Sequence, residues 1–173
     1  KFKQCTYPWT GITIDPNGWI TLCCNTTHTK ELKHKISDIE SLKDFFEGEE
    51  FEYVRSKFKK HGWENIKSCH KCLISLSGIH TVIDSSYKFI PDRGLQYLEF
   101  STSNTCNQTC VTCDSYFSTK WQKLEHLFGR GAVKTYRFSE DDIDKIIEVL
   151  PGLKELQLKG GEPLMDIKNA RIL

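Results

Sequence analysis

Cys106-Asn107-Gln108-Thr109-Cys110-Val111-Thr112-Cys113 places three cysteines within eight residues, directly after the run Leu95-Gln96-Tyr97-Leu98-Glu99-Phe100. Clustered thiolates are soft ligands, suited to zinc, copper(I) or an iron–sulfur cluster. Three is one fewer than a closed structural zinc site or a fully protein-ligated cubane uses, and an open position is what a catalytic metal needs. Upstream, Leu98 and Phe100 alternate with Glu99 and Ser101, as in a strand with two different faces. Downstream, Phe117, Trp121, Leu124 and Phe128 recur with the spacing of one helical face. Ser139-x-x-Asp142 can form a capping box ahead of the stripe Ile143, Ile146, Ile147 and Leu150, and Pro151-Gly152 stops that helix. Leu156-Gln157-Leu158-Lys159 predicts a second strand, ending in Gly160-Gly161-Glu162-Pro163.

Strand, helices, strand, with chemistry-bearing residues at both strand ends, is the pattern of a (β/α) barrel, whose active site lies at the C-terminal face of its strands. The spacing C-x3-C-x2-C resembles the signature of the radical S-adenosylmethionine (radical SAM) enzymes, and Gly160-Gly161-Glu162-Pro163 matches the Gly-Gly-Glu motif that family carries after its second strand. The resemblance implies that Cys106, Cys110 and Cys113 hold three irons of a [4Fe-4S] cluster whose fourth iron binds S-adenosylmethionine (SAM). It implies cofactor contacts from Gly160, Gly161 and Glu162, where glycines let backbone approach a ligand closely. Thr112 stands where the family often has an aromatic beside the adenine, which leaves that residue a backbone contact. The implied chemistry is reductive cleavage of SAM to methionine and a 5′-deoxyadenosyl radical, fed by an electron donor such as flavodoxin or ferredoxin.

The N-terminal part has its own organisation. Ile12-Thr13-Ile14 and Trp19-Ile20-Thr21-Leu22 flank Asp15-Pro16-Asn17-Gly18, whose proline and glycine positions predict a hairpin turn. Cys5 precedes the first strand and Cys23-Cys24 ends the second. Ser41-x-x-Asp44 caps a short helix carrying Leu42, Phe45 and Phe46, and a further helix from about Glu49 presents Phe51, Val54 and Phe58 until Gly62 breaks it. Cys69-His70-Lys71-Cys72 follows. Cys5, Cys23, Cys69 and Cys72 thus make a tetrathiolate set for which zinc and [4Fe-4S] are both open. Strand alternation puts Cys24 on the apolar face of Ile20 and Leu22, as a small buried hydrophobe, and Cys23 on the other face as the ligand. Tyr7, Pro8 and Trp9 are expected to cover the site. His70 is expected to be an exposed turn residue. The pattern Cys-x12-Gly-x4-Cys with a distant Cys-x2-Cys resembles the first half of the SPASM or twitch auxiliary-cluster domains that accompany radical SAM enzymes acting on peptides and proteins. Those domains usually follow the barrel, whereas this one precedes it.

The fold class expected is therefore α/β: a small α+β auxiliary-cluster domain over 1–76, a connector over 77–94, and the truncated start of a radical SAM barrel over 95–173. The two βα units available are fewer than a barrel needs, so the sequence is expected to be an internal fragment, inactive alone. Charge is balanced, with 24 basic and 23 acidic residues, which gives no nucleic-acid or membrane-surface footprint. No apolar run has the length of a membrane helix. Eight cysteines in short paired spacings point to metal rather than disulfides, and cluster thiolates imply a reducing, cytoplasmic setting. Peptide or protein modification is the expected activity. The alternatives are radical SAM chemistry on a small molecule such as a sugar or nucleotide, and a non-catalytic structural zinc protein.

Overall fold

The computed structural model describes residues 5–26, 32–74, 88, 91–129 and 136–173. Four strands form one mixed sheet in the order β2-β1-β3-β4: β1 (Gly11–Ile14), β2 (Ile20–Thr21), β3 (Tyr97–Ser101) and β4 (Glu155–Lys159). The expected hairpin is present. β1 and β2 pair antiparallel, with Ile14 opposite Ile20, and Gly18 closes the turn at φ 79°, a conformation open to glycine. Asp15 Oδ1 accepts from the N–H groups of Asn17 and Trp19, both at 2.9 Å, so the turn carries its own lock.

β1 runs parallel to β3, with Ile12 opposite Leu98, and β3 runs parallel to β4, with Leu98 opposite Leu156. The hairpin of the N-terminal region and the strand preceding the cysteine triplet therefore meet in a single sheet. The sequence shows the strands but not this pairing, which joins residues far apart in the chain.

The sheet has two unlike faces because side chains alternate along each strand. Ile12, Ile14, Ile20, Leu98 and Phe100 are fully buried on the apolar face, each contributing about 1.5–3 kcal/mol of burial. That face belongs to the core shared with α2 (Leu42–Glu47), α3 (Glu49–His61) and α6 (Glu140–Val149). Their starts follow the sequence signals: Ser41 Oγ accepts from Asp44 N–H at 3.1 Å, and Ser139 with Asp142 makes the reciprocal capping box. Phe51, Val54 and Phe58 of α3 are buried as expected, and Gly62 ends the helix at φ 74°. Arg55 of the same helix is buried, donating from Nε to Pro8 O and from Nη2 to Phe46 O. It thereby anchors α1 (Tyr7–Thr10), the single turn that follows Cys5.

One expected helix differs. Phe117, Trp121, Leu124 and Phe128 have the spacing of a continuous face, but α5 spans only Thr119–Leu124, tightens to a 3-10 turn over Glu125–Phe128 and stops at Gly129. Ser118 caps it by accepting from Trp121 N–H at 3.3 Å, which leaves Phe117 outside the helix, and Phe117 and Phe128 are exposed. Residues 75–87, the heart of the expected connector, lie outside the described residues, as do His28 and His80. Among the described residues no helix is long and apolar enough to cross a membrane.

Candidate functional site

The cysteines fall into two groups along the chain, and in the first Cys69 and Cys72 join the main core while Cys23 packs with Tyr7 and Tyr97. Cys5 sits just before α1 and Cys23 just past β2. Cys69 ends a 3-10 turn, and Cys72 lies in α4 (His70–Ile74). Cys23, Cys69 and Cys72 are buried and Cys5 is half-buried, while His70 is exposed as expected. Tyr7 and Tyr97 pack with Cys5 and Cys23, their rings 5.3 Å apart. Tyr7 therefore supplies the apolar cover expected of it, and Tyr97, which the sequence reading did not single out, supplies the rest.

The thiols sense one another. Burial pushes the Cys23 thiol well above its ordinary value, and the neighbouring Cys5, Cys24 and Cys69 raise it further, against a smaller lowering by the Asn25 N–H. Asn25 Nδ2 also donates to Cys72 Sγ at 3.8 Å, which brings the fourth cysteine to the same turn. Four soft sulfurs, three of them buried, are the donor chemistry that an iron–sulfur cluster takes.

Cys24 is not the buried hydrophobe that alternation assigns. It is exposed, on the polar side of the sheet, where its thiol hydrogen-bonds the carboxylate of Glu99. The reason is local. β2 ends at Thr21, so the alternation has no strand to run along. From Cys23 the chain turns, with Thr26 N–H donating to Cys23 O at 3.0 Å and Thr26 Oγ1 donating to the same oxygen at 2.8 Å.

The second group lies on the loop after β3. Cys106 and Cys113 are half-buried and Cys110 is exposed. Desolvation first, and Cys106 and Cys110 among the lesser causes, push the Cys113 thiol up, so these three also sense one another. The loop is clasped at both ends. Cys106 N–H donates to Thr119 Oγ1 at 3.1 Å, Ser118 Oγ donates to Gln108 O at 2.8 Å, and Trp121 Nε1 donates to Cys110 O at 3.1 Å. Tyr116 Oη donates to Asp15 Oδ2 at 2.7 Å, which ties this loop to the hairpin turn. Thr112 is exposed.

Gly160-Gly161-Glu162 docks on the same loop. Gly161 N–H donates to Ser103 O at 3.1 Å and Glu162 N–H to Thr105 O at 2.8 Å. A Cβ on Gly160 would stand 2.3 Å from Ser103 O, and one on Gly161 would stand 2.3 Å from Thr105 O and 2.7 Å from Cys106 Cβ. The glycines therefore allow close approach, and what approaches them is the backbone carrying Cys106. The Glu162 carboxylate accepts from Leu164 N–H at 3.4 Å. Among the described residues, no three or more His, Cys, Asp or Glu side chains are gathered as the ligands of a single metal ion.

The first cysteine group coincides with a known domain. Residues 5–73 match the SPASM family, an iron–sulfur cluster-binding domain. The matched span contains Cys5, Cys23, Cys69 and Cys72, and iron–sulfur cluster binding is the property by which the matched family is described. No curated protein and no solved structure matches the sequence.

Proposed function

We propose that the chain is part of a radical SAM enzyme that modifies a peptide or protein. SPASM domains are typical companions of such enzymes, and the second cysteine group has the composition of the SAM-binding cluster site. The observation that carries the reading is the contact between the two motifs: Gly161 and Glu162 hydrogen-bond the Ser103–Thr105 backbone next to Cys106, from the end of the neighbouring parallel strand. A structural zinc module has no need of a glycine pair from a second strand against its ligand loop.

In this reading Cys106, Cys110 and Cys113 hold a [4Fe-4S] cluster, and Cys5, Cys23, Cys69 and Cys72 hold an auxiliary one. A cluster held by Cys106, Cys110 and Cys113 would supply the electron for reductive cleavage of bound SAM. The chain's own residues orient and shield. Ser118, Thr119 and Trp121 hold the cysteine loop by its backbone, and the Tyr116–Asp15 bond fixes it against the hairpin. Thr112, standing where the family often has an aromatic, would meet the adenine through its backbone. Thiolate ligands need a reducing setting, so a cytoplasmic location and a flavodoxin- or ferredoxin-type donor belong to the same proposal. The test is release of 5′-deoxyadenosine by the full-length protein under anaerobic conditions with SAM and a strong reductant. Release that disappears in the Cys106→Ala variant supports the reading. Absence of release from iron-loaded protein overturns it.

A further inference from the structure

A cavity of about 320 Å³ opens on the polar face of the sheet, lined by sequence neighbours of both cysteine groups rather than by the groups themselves. One wall comes from the auxiliary side, with Cys24 next to Cys23 and Lys71 between Cys69 and Cys72; the opposite wall is Tyr116 and Phe117 of the second cysteine loop. The floor is β1, β3 and β4, through Thr13, Glu99, Ser101 and Lys159. Its volume is at the bottom of the range for ligand pockets, which run from about 300 to 1,000 Å³. It suits one amino-acid side chain or a comparably small group.

The charges of the cavity are already balanced. Glu99, only 4 % exposed, faces Lys159 Nζ at 3.0 Å and accepts from Tyr97 Oη at 2.9 Å. Asp15 accepts from two backbone N–H groups and from Tyr116 Oη. Two lysines and two carboxylates line the space, so it has no net charge with which to draw an ion. What is left unsatisfied is neutral. Thr13, 4 % exposed and on the cavity side of β1, has an Oγ1 with no hydrogen-bond partner among the described residues. A buried hydroxyl without a partner costs about 1–3 kcal/mol, which a ligand able to pair with it would relieve. Ser101, also 4 % exposed, adds a second hydroxyl on the same face.

We infer that this cavity is the pocket for the reacting residue of a peptide substrate, specific for a neutral hydrogen-bonding side chain, a hydroxyl or a carboxamide, with Thr13 as the specificity-determining partner. Cys24 is the thiol that faces it. The inference rests on the peptide-modification reading above and adds the substrate class. A carboxylate side chain would enter beside Glu99 and Asp15, and an ammonium would compete with Lys159 for Glu99. A hydroxyl or amide meets Thr13 without disturbing either carboxylate.

Cys24 makes the pocket readable without turnover. The full-length protein is alkylated with iodoacetamide under anaerobic conditions, and modification of Cys24 is followed by peptide mass mapping. The rate is measured alone, with N-acetyl-threoninamide, and with N-acetyl-aspartate. A fragment of this size binds at about 4 mM on usual ligand efficiencies, so about 40 mM N-acetyl-threoninamide slows Cys24 alkylation roughly tenfold. N-acetyl-aspartate leaves the rate within about twofold. Thr13→Val, which keeps the shape and removes the hydroxyl, loses the protection relative to its own unprotected rate, and Ser101→Ala serves as a second variant should the first not fold. Equal or better protection by N-acetyl-aspartate, or none by the threonine amide, overturns the proposal. The assay uses neither SAM nor reductant. Lost protection with intact SAM cleavage would therefore sink the pocket alone, and intact protection without SAM cleavage would sink the enzyme reading alone.

Discussion

Gly161→Ala adds one methyl group to the motif that follows β4. The new Cβ would lie 2.3 Å from Thr105 O, 2.7 Å from Thr105 C and 2.7 Å from Cys106 Cβ. An ordinary contact needs about 3.4 Å or more, so the two segments must part by roughly 1 Å, at a typical overpacking cost of about 1–3 kcal/mol. Nothing soft is available to give way, because two of the three atoms are backbone and the third is the Cβ of a proposed cluster ligand. The same shift strains the Glu162 N–H bond to Thr105 O and moves Cys106. For a chain of this length the cost reads as a fall in Tm of roughly 2–12 °C. We expect that fall, together with loss of about half of the bound iron after anaerobic reconstitution. Gly152→Ala is the control, since its Cβ would meet nothing closer than Leu95 O at 3.8 Å, and its Tm should stay within about 2 °C. Gly161→Ala with unchanged Tm and unchanged iron would refute the docking of the glycine motif on the cysteine loop.

Two further outcomes follow from the sites. Cys23→Ala should lose the auxiliary cluster and leave the other in place, whereas Cys24→Ala should keep both; because Cys24 is exposed, its removal should shift Tm by no more than about 2 °C. Iron counts and melting curves on the two variants decide the matter, and loss of iron from Cys24→Ala alone would reverse the assignment. Tyr97 should mark alkaline unfolding. Burial first, then the neighbouring Glu99, holds its hydroxyl protonated to a pH well above the ordinary value. The folded state keeps that proton while the unfolded chain releases it near pH about 10, so the contribution is complete below that pH and declines as pH rises past it. Tyr97→Phe should flatten the fall in stability above pH about 10, measured by denaturant melts beside tyrosinate absorbance; an unchanged slope would contradict the assignment.

Local chemistry was legible in the sequence wherever a few neighbouring residues settle it. Asp15 to Gly18 encode the hairpin turn, Ser41 and Ser139 encode helix starts, and Gly62 encodes a stop, since each works through hydrogen bonds or backbone angles within a few residues. The short spacings Cys69-x2-Cys72 and Cys106-x3-Cys110-x2-Cys113 are equally local features, whereas joining Cys5 and Cys23 to Cys69 and Cys72 depends on the fold. The misread elements depend on partners elsewhere in the chain. The Phe117–Phe128 periodicity has a helical spacing, but Ser118 caps later than the pattern begins and no core meets that face. Alternation misplaced Cys24 because Thr26 turns the chain directly after β2. The parallel pairing of β1 with β3 has no local signature at all, and with it came the cavity on the polar face of the sheet. Gly161 was recognised by its motif, yet the reason for the glycine, the backbone around Cys106, is visible only when β4 is laid beside β3.

The central claim, two iron–sulfur clusters on seven named cysteines, is tested most directly by counting metal. The full-length protein, reconstituted anaerobically with iron and sulfide, should bind about eight irons, as two cubanes require. Replacing Cys106, Cys110 and Cys113 together by Ala should leave about four, and replacing Cys5, Cys23, Cys69 and Cys72 together should leave the other four or so. Stoichiometric zinc with negligible iron, or an iron count that neither set of replacements changes, would contradict the account.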